Sequence, residues 1–390
     1  MSKYWRTNFW YKTARLVAKL PINHKFRFSS QQYKIKPPFI VLCNHTTDYD
    51  ALLMAGAFKE PIHFVISDHV TSIPVAGKLI NHFVGTIPIT KSTIDASTVR
   101  KMMRVAKNGG AIGVFPEGNK SFAGKMSYVK PSIAKVIKKL NIPVVIYNIE
   151  GGYFTSPRWT KLKRKGYTHG YVRCILQPEQ FATLSDDELY NQIITNLSVE
   201  AYGRQGKNRH QFTGKDLSRH IEQLLYMCPI CGSFNSVYGE FNHIKCHNCD
   251  LLGEFDNYGY ISGAPFARLD EWDTWQKERL REMQFEPNKP IFKDDNVLVK
   301  QKINNLKNQK LGRFNLTLFP EKLMLEPLDR NSQPINLELK DITGYGIEGA
   351  NGLQLWIKDN HVYRIKGKTP TNGLKYVNAI CVLTGQPMHF

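Results

Sequence analysis

The chain has 390 residues, more than a typical single domain, so two or three domains are expected. Its 53 lysines and arginines outnumber 33 aspartates and glutamates, and the net charge of +20 favours an anionic partner: a membrane surface, a nucleic acid or a phosphorylated substrate. No stretch approaches the ~18 apolar residues of a membrane-spanning helix, and charges interrupt every candidate secretory signal. We therefore expect a cytoplasmic protein, or one held peripherally on the inner face of the cell membrane.

The first 28 residues predict a basic amphipathic helix. Residues 5–20 have helical periodicity, and Pro21 would end the helix. Basic side chains share one helical face, while Phe9 and Trp10 lie largely away from it. Because basic and aromatic residues together suit the headgroup boundary of an anionic bilayer, we expect residues 1–28 to associate with a membrane surface. The alternative is a helix that packs on its own domain and leaves a solvated basic face.

Short apolar runs then alternate with helical segments as far as Gln205. The predicted strands are Phe39–Cys43, His63–Ile66, Val84–Ile89, Ala111–Phe115, Pro143–Ile149 and Gly170–Leu176. The predicted helices are Ala51–Phe58, Ile94–Asn108, Ser132–Leu140 and Ser185–Tyr202. Strands rich in Val and Ile, separated by helices, predict an α/β domain with a largely parallel sheet, which we place at residues 29–205. Its chemistry is expected in loops at the strand ends.

A histidine and a carboxylate follow the first of these strands. His45 leaves the strand end, and Asp50 stands five residues later, in the next helical turn. Asp50 can orient one imidazole nitrogen while the other accepts a proton. This is half of a Ser–His–Asp arrangement, and it needs no serine if the substrate supplies the hydroxyl. Asp48 is a rival orienting residue, and spacing alone leaves both carboxylates open.

Two further strand ends carry residues suited to a phosphate. After the strand at Ala111–Phe115, Gly118 permits close backbone approach, and Lys120 and Ser121 offer a cation and a hydroxyl. Glu117 would anchor this loop or bind polar groups of the ligand. Lys91 ends another strand and is a second candidate phosphate ligand. The structural alternatives are an ordinary Pro-Glu-Gly turn and a plain surface lysine.

In combination and order, these segments resemble the glycerolipid acyltransferase family typified by bacterial 1-acyl-glycerol-3-phosphate acyltransferases. That family carries an Asn-His-x4-Asp block, a Gly-x-Ile-x-Ile-x-Arg block, a Phe-Pro-Glu-Gly-x-Arg-Ser block and a Pro-rich apolar block. Asn44, His45 and Asp50 match the first block, and Phe115-Pro116-Glu117-Gly118 match the third. The resemblance covers residues 1 to about 200 and implies a glycerol-phosphate acyltransferase-like mixed sheet flanked by helices.

The chain departs from the family pattern at three positions. Lys91 and Lys120 stand where the family usually has arginine, and Ile146 occupies the second proline position of the fourth block. Lysine keeps the positive charge but lacks the bidentate fork of arginine. The departures therefore affect the expected acceptor more than the expected reaction.

The resemblance implies direct acyl transfer. His45, oriented by Asp50, would remove the proton from an acceptor hydroxyl as that hydroxyl attacks the thioester of acyl-CoA or acyl-carrier protein. The expected acceptor is the lysophospholipid 1-acyl-glycerol-3-phosphate, which would give phosphatidate; the alternative is a different lysophospholipid or glycerol-phosphate acceptor. The expected substrate-binding residues are Asn44, Lys91, Glu117, Gly118, Lys120 and Ser121, with Arg158 as a further candidate phosphate contact.

Four of the seven cysteines form two Cys-x2-Cys pairs separated by fourteen residues: Cys228, Cys231, Cys246 and Cys249. Four thiolates complete a closed tetrahedral site for Zn²⁺, and a closed site is structural and not catalytic. The Cys-x2-Cys-Gly turn is typical of zinc ribbons, so we place a linker helix and a zinc ribbon at residues 206–258. Iron–sulfur ligation or a redox pair is the alternative.

The rest of the chain predicts a helical linker at residues 259–290 and a β-rich domain at residues 291–390. Several short alternating runs precede a helix at Gly373–Leu383. This pattern indicates a small β-sandwich or barrel, of which a pleckstrin-homology-like (PH-like) domain is one form. For residues 206–390 we expect a regulatory or docking role, directed at a membrane or at acyl-carrier protein.

Two competing functions remain to be weighed. The first is a non-enzymatic basic zinc-ribbon protein that binds nucleic acid or membrane, and the second is an inactive relative that only binds membranes. The ordered sequence blocks argue against the first, and the intact His45 and Asp50 argue against the second. We therefore expect no nucleic-acid partner.

Overall fold

The computed structural model describes residues 26–67, 86–89, 95–207, 209–303, 309–367 and 372–388. The predicted helix at residues 5–20 and Lys91 lie outside this described part. The chain divides into two compact units: Met1–Pro157 with Lys163–Thr213, and Arg158–Leu162 with Gly214–Phe390. Among the described residues, no helix combines the length and the apolar character needed to cross a membrane.

The first unit is a mixed α/β fold. Its strands are β1 (Phe28–Ser30), β2 (Phe39–Cys43), β3 (Ile62–Ser67), β4 (Ile87–Ile89), β5 (Ala111–Val114), β6 (Val144–Glu150) and β7 (Thr168–Leu176). Its helices are α1 (Asp50–Ala57), α2 (Ala96–Lys107), α3 (Ser132–Leu140), α4 (Gly152–Thr155), α5 (Pro178–Phe181), α6 (Asp186–Leu197) and α7 (Ala201–Lys207).

These strands form one seven-stranded sheet in the order β1-β7-β6-β2-β5-β3-β4. From β6 to β4 neighbouring strands are parallel, whereas β7 runs antiparallel to β6 and pairs in parallel with β1. The predicted mixed sheet with flanking helices is therefore confirmed. Leu42 pairs with Val114, so the carboxyl ends of β2 and β5 lie side by side. The loops that follow these two strands consequently start at the same edge of the sheet.

Strand β2 is the centre of the core. Its alternate residues Phe39, Val41 and Cys43 pack in the cluster that contains Leu53 and Met54 of α1. Its other two residues, Ile40 and Leu42, pack in a second cluster with apolar side chains of α2, α3 and α6. Burial on both faces explains why β2 reads as a continuous apolar run and not as an alternating one.

The predicted helix Ser185–Tyr202 is wrong at its C-terminal end. Helix α6 begins with a capping box between Ser185 and Glu188 but ends at Leu197, and α7 starts separately at Ala201. The N–H of Ala201 donates to the carbonyl of Gly124 at 2.9 Å. This contact with a distant loop sets the break, and helical periodicity does not reveal it.

The second unit is β-rich. Its strands are β8 (Val237–Glu240), β9 (His243–Cys246), β10 (Leu252–Phe255), β11 (Ile261–Ser262), β12 (Phe292–Ile303), β13 (Gln309–Leu318), β14 (Lys322–Pro327), β15 (Ile335–Glu338), β16 (Ile342–Glu348), β17 (Gly352–Ile357) and β18 (His361–Lys366). Its α-helices are α8 (Leu269–Glu282) and α9 (Gly373–Leu383), and short 3-10 turns lie at Ile221–Gln223, Leu339–Asp341 and Lys358–Asn360.

Two antiparallel sheets organise these strands. The smaller has the order β11-β10-β9-β8, and the larger has the order β15-β14-β13-β12-β18-β17-β16. The expected β-rich C-terminal region is therefore confirmed. Within residues 209–227, which the structure describes, the helical structure is limited to the 3-10 turn Ile221–Gln223. The linker helix expected before Cys228 therefore does not form there.

Helix α8 fixes the chain just before the first cysteine pair. The indole N–H of Trp272 donates to the carbonyl of Met227 at 3.0 Å. The side-chain amide of Gln276 donates to the carbonyl of Leu224 at 2.9 Å and accepts from the N–H of Tyr226 at 3.0 Å. These bonds to buried backbone groups take the place of the hydrogen bonds that the predicted helix would have supplied.

Candidate active site

A His–Asp pair lies at the carboxyl end of β2. The Nδ1 atom of His45 is 2.9 Å from Oδ2 of Asp50. Because an ionised carboxylate only accepts hydrogen bonds, Nδ1 carries the proton in this pair. The imidazole is 24% exposed and the Asp50 side chain is 0% exposed. The buried carboxylate thus orients the ring, and Nε2 is the nitrogen that can meet a substrate.

The Asp50 carboxylate is itself held by the loop that precedes α1. Its Oδ2 accepts from the backbone N–H groups of Thr46 and Thr47 at 2.6 and 2.8 Å. Its Oδ1 accepts from the hydroxyl of Thr47 at 2.7 Å. These bonds fix the carboxylate before any substrate arrives. They also answer the choice left open by spacing, since Asp50 and not Asp48 bonds to the imidazole.

Asn44 pins the histidine loop to the neighbouring strand. Its amide nitrogen donates to the carbonyl of Ile149 at 2.9 Å, and its amide oxygen accepts from the N–H of Ile149 at 2.8 Å. Asn44 is buried, and both polar atoms of its amide are engaged by the backbone of β6. The expected contact of Asn44 with substrate is therefore replaced by a role in positioning His45.

Glu117 joins the two loops of the site. Its Oε1 accepts from the N–H of His45 and its Oε2 accepts from the N–H of Ser127, each at 2.6 Å. Burial raises the pKa of Glu117 to about 8, against the two N–H donors, which favour the ionised form. Of the two roles expected for Glu117, the structure assigns it loop anchoring, because backbone donors occupy both carboxylate oxygens.

Ser121 and Gly118 shape the loop that follows β5. The N–H of Ser121 donates to the carbonyl of His45 at 2.9 Å, and its buried hydroxyl accepts from the N–H of Gly124 at 2.8 Å. The Ser121 hydroxyl thus stabilises the loop, and its expected phosphate contact stays a prediction. Gly118 is exposed and has φ 66°, a left-handed conformation that suits glycine.

Lys120 is the cation that this loop brings to the site. Its Nζ lies 2.5 Å from Oδ1 of Asp48, within the segment between His45 and Asp50. The expected contact between Lys120 and phosphate remains compatible with this position. The second expected cation, Lys91, lies outside the described residues.

Phe115 belongs to the third family block, but its contact with the histidine was not predicted from sequence. Its ring stacks on the imidazole of His45 with 4.5 Å between centroids and 29° between planes. Phe64 also stacks on Phe115, with 6.3 Å between centroids. Together with Asp50, the aromatic ring fixes both the direction and the plane of the imidazole. The signal available in the sequence was an aromatic residue directly after the apolar strand β5.

Arg158 belongs to the second unit, where its Nε donates to the carbonyl of Gly349 at 3.1 Å and its Nη2 to the carbonyl of Ile347 at 2.6 Å. The phosphate contact expected of Arg158 stays a prediction. An arginine that satisfies buried carbonyls of another segment cannot be recognised from its neighbours in the chain.

The four paired cysteines converge in the second unit. Their Sγ atoms all lie within 4.8 Å of one another, with 3.6 Å between Cys228 and Cys249 and 3.7 Å between Cys231 and Cys246. Zinc–thiolate bonds of ~2.3 Å in tetrahedral geometry separate the sulfurs by about 3.8 Å. The cluster therefore has a ligand set and spacing that could bind a metal ion.

Comparison with known proteins adds a family match. Residues 25–149 match the family described as Acyltransferase. The chloroplastic 1-acyl-sn-glycerol-3-phosphate acyltransferase BAT2 of Brassica napus is 24% identical over 208 residues, which cover 50% of this chain and 58% of that relative. The match thus spans less than two thirds of the relative's length.

Two solved structures are similar to parts of this chain, with low TM-scores. The 1-acyl-sn-glycerophosphate acyltransferase of Thermotoga maritima has 23% identity and a TM-score of 0.41, covering 51% of this chain and 80% of that one. The Vps36 N-terminal PH domain has 17% identity and a TM-score of 0.21, covering 25% and 80%. The residues that match the Acyltransferase family include the His45–Asp50 pair.

Proposed function

We propose that this protein transfers a fatty acyl group from acyl-CoA or acyl-carrier protein to the hydroxyl of 1-acyl-glycerol-3-phosphate and so produces phosphatidate for phospholipid synthesis. The observation that carries the proposal is the 2.9 Å bond between Nδ1 of His45 and the buried Asp50 carboxylate. That bond leaves Nε2 of a partly exposed imidazole as the proton acceptor. The family match of the surrounding residues supports the reaction class.

The reaction is a direct transfer with His45 as general base. Nε2 removes the proton from the acceptor hydroxyl while the hydroxyl oxygen attacks the thioester carbonyl. The carbon–sulfur bond then breaks, an ester is formed, and the departing thiolate takes the proton back from the imidazolium. Positioned base catalysis of this kind contributes on the order of 10²–10⁴-fold in rate. Asp50 stabilises the imidazolium that forms between the two proton transfers.

The phosphate of the acceptor would be bound by Lys120, with Lys91 as the second cation. A lysine ammonium is a compact charge with no bidentate fork, so it attracts a phosphate without fixing its rotation. Binding the phosphate positions the neighbouring hydroxyl for attack, which converts binding energy into orientation. Asn44, Glu117 and Ser121 would act by holding the loops that carry His45 and Lys120.

The second unit would carry a structural zinc ion and a PH-like domain. Cys228, Cys231, Cys246 and Cys249 supply four thiolates, the ligand set that closes a tetrahedral Zn²⁺ site. Bound zinc would contribute to folding and take no part in acyl transfer. Seven antiparallel strands followed by α9 support a PH-like arrangement. Its role would be docking to a membrane or to acyl-carrier protein.

The protein would work as a peripheral enzyme on the inner face of the cell membrane. The net charge of +20 and the basic segment 1–28 support binding to an anionic lipid surface. A surface location suits the reaction because a lysophospholipid acceptor resides in the bilayer. We propose no nucleic-acid partner.

The substrate assignment is tested by following labelled acyl transfer from acyl-CoA and from acyl-carrier protein to a panel of acceptors. The panel contains 1-acyl-glycerol-3-phosphate, other lysophospholipids and glycerol 3-phosphate, presented with anionic vesicles. The proposal expects the highest kcat/KM with 1-acyl-glycerol-3-phosphate. A preference for another acceptor would change the proposed substrate but leave the proposed reaction standing. No transfer to any acceptor would favour a non-enzymatic membrane-binding protein.

A further inference from the structure

Two aspartates in the loop after β2 have opposite environments. Asp50 is 0% exposed and bonds to His45 and to the backbone, whereas the Asp48 side chain is 65% exposed. Oδ1 of Asp48 lies 2.5 Å from Nζ of Lys120, which is 18% exposed. Asp48 therefore meets the one described cation that the proposed function assigns to the acceptor phosphate.

A second cation acts on the same carboxylate. Burial acts to raise the pKa of Asp48, but the charge and hydrogen bond of Lys120, together with smaller contributions that include the charge of Lys163, lower it overall. The Nζ of Lys163 donates to the hydroxyl of Ser156 at 2.5 Å and lies 6.0 Å from the ring centroid of Tyr49. Asp48 thus carries its negative charge next to Lys120 and in the field of Lys163.

An ion pair with one exposed partner can be exchanged. Water competes for the Asp48 carboxylate, which is 65% exposed, and ion pairs at the protein surface are worth about 0–1 kcal/mol. A phosphate monoester carries more negative charge than one carboxylate and offers more acceptor oxygens. The acceptor phosphate can therefore displace the Asp48 carboxylate from Lys120, at the cost of breaking the pair.

We propose that Asp48 is an internal counter-anion of the acceptor site, which occupies Lys120 until the acceptor phosphate displaces it. This inference rests on the proposed function and names a residue that sets the affinity for anionic acceptors. Before the acceptor binds, Asp48 keeps Lys120 oriented towards the site. The Asp48 carboxylate also competes with every anionic ligand for Lys120. Lys163 is the cation that receives the displaced carboxylate or joins Lys120 on the phosphate.

The test measures the binding of a soluble short-chain 1-acyl-glycerol-3-phosphate to the full-length protein by calorimetry, together with KM for transfer from acyl-CoA. Asp48→Asn removes the competing charge and nearly preserves the shape. We expect both Kd and KM to fall roughly two- to fivefold, the change that corresponds to an exposed ion pair. Asp48→Ala should give the same direction, because the charge and not the amide is responsible.

Two further variants make the result specific. Lys120→Met should weaken acceptor binding, and Asp48→Asn should produce a smaller gain in the Lys120→Met background, because the lysine for which it competes is gone. Glu179→Gln changes the net charge by the same amount at an exposed position of α5 and should leave Kd unchanged. An equal gain from Glu179→Gln would attribute the effect to net charge and overturn the proposal.

The outcomes separate this inference from the proposed function. If the wild-type protein transfers acyl groups but Asp48→Asn leaves Kd and KM unchanged or raises them, the counter-anion role is wrong and the reaction stands. If the wild-type protein neither binds nor acylates any phosphate-bearing acceptor, both proposals fail.

Discussion

The backbone N–H of His45 donates to Oε1 of Glu117 at 2.6 Å, and this bond ties the loop after β2 to the loop after β5. The other carboxylate oxygen accepts from the N–H of Ser127 at the same distance. Glu117 is buried and its two oxygens serve one donor from each loop. The position of the proposed catalytic base therefore depends on a side chain that need not touch the substrate.

Glu117→Gln should impair both folding and catalysis. Glutamine keeps the shape but offers a single acceptor oxygen, so one of the two buried N–H groups loses its partner. Such a loss costs ~1–3 kcal/mol of unfolding free energy, and displacement of His45 should lower kcat more than it changes KM. Urea unfolding and steady-state kinetics measure the two effects. A variant with the wild-type unfolding midpoint and kcat would show that Glu117 does not position His45.

The free energy of unfolding should depend on pH because of Glu117. Burial raises the pKa of Glu117 from 4.5 to about 8, so the folded protein keeps a proton there that the unfolded chain loses. Glu117 therefore makes its full contribution to the free energy of unfolding below the pKa that this carboxyl group has in the unfolded chain. The contribution is lost as the pH rises towards 8, by at most ~1.4 kcal/mol per pH unit.

Because Glu117→Gln lacks the titrating group, the stability of the wild-type protein relative to this variant should decrease between about pH 5 and 8. Urea unfolding of both proteins at several pH values across this window measures the difference. A difference that stays constant with pH would mean that the carboxyl group has an ordinary pKa in the folded state.

Asp50→Asn tests how far catalysis depends on the carboxylate that orients His45, because the variant keeps the histidine itself. The imidazole and the N–H groups of Thr46 and Thr47 all bond to Oδ2 of Asp50, and an asparagine oxygen can take that place. The variant loses the negative charge that stabilises the imidazolium, and its NH2 group faces the Thr47 hydroxyl, which bonds to Oδ1 in the wild type. We expect kcat to fall on the order of 10²–10⁴-fold, close to the effect of removing the base. Intact secondary structure by circular dichroism is the control. A kcat within a few-fold of the wild type would assign orientation of the ring to another group.

Lys375→Met should destabilise the second unit strongly. The buried Nζ of Lys375 lies 2.6 Å from Oδ2 of Asp294 and donates to the amide oxygen of Asn235 at 2.9 Å. Burial lowers the pKa of Lys375, with Asp294 acting in the opposite direction. Removing the lysine leaves Asp294 buried without its cation, which costs about 3–5 kcal/mol.

Hydrogen exchange in α9 measures this effect, and the double variant Lys375→Met with Asp294→Asn is the matched comparison. The double variant should be less destabilised than the sum of its single changes, because no uncompensated charge remains. Additive losses would show that the two residues do not stabilise the unit as a pair.

Metal removal should loosen the same unit. If the four-cysteine cluster holds Zn²⁺, metal analysis should find one ion per chain, and chelation or Cys246→Ser should release it. Trp272 reports the change, because its indole bonds to the carbonyl of Met227, next to Cys228. We expect red-shifted tryptophan fluorescence on chelation and recovery when zinc is restored. Protein that contains no metal, or fluorescence that does not respond, would contradict a structural zinc site.

Much of the first unit could be predicted because its sequence signals are local. Strand Phe39–Cys43 and helix Ser132–Leu140 have the predicted bounds, since a buried apolar run and an amphipathic repeat each specify one element. Spacing across one loop predicted a carboxylate partner for His45 but left Asp48 and Asp50 open, and the structure pairs Asp50 with the imidazole. Sequence alternation does not specify every strand of the larger C-terminal sheet. In Phe292–Ile303, a bulge near Asp294 interrupts the two-residue alternation.

The substrate contacts expected of Asn44, Glu117 and Ser121 stay predictions, but the structure shows a bond that sequence did not specify for each side chain. Asn44 and Glu117 are engaged by backbone atoms from another part of the chain, and the Ser121 hydroxyl is engaged by the N–H of Gly124 in its own loop. Sequence spacing predicts which side chains come close, but not which buried N–H and carbonyl groups need a partner there. The proposed domain boundaries at residues 205, 258 and 290 stay predictions.

The most direct test of the central claim is labelled acyl transfer to 1-acyl-glycerol-3-phosphate by the wild-type protein and by His45→Ala. The account predicts transfer by the wild type and a fall on the order of 10²–10⁴-fold in kcat for the variant, with acceptor binding retained. Undiminished transfer by a folded His45→Ala protein would show that another group activates the hydroxyl, and would contradict the account.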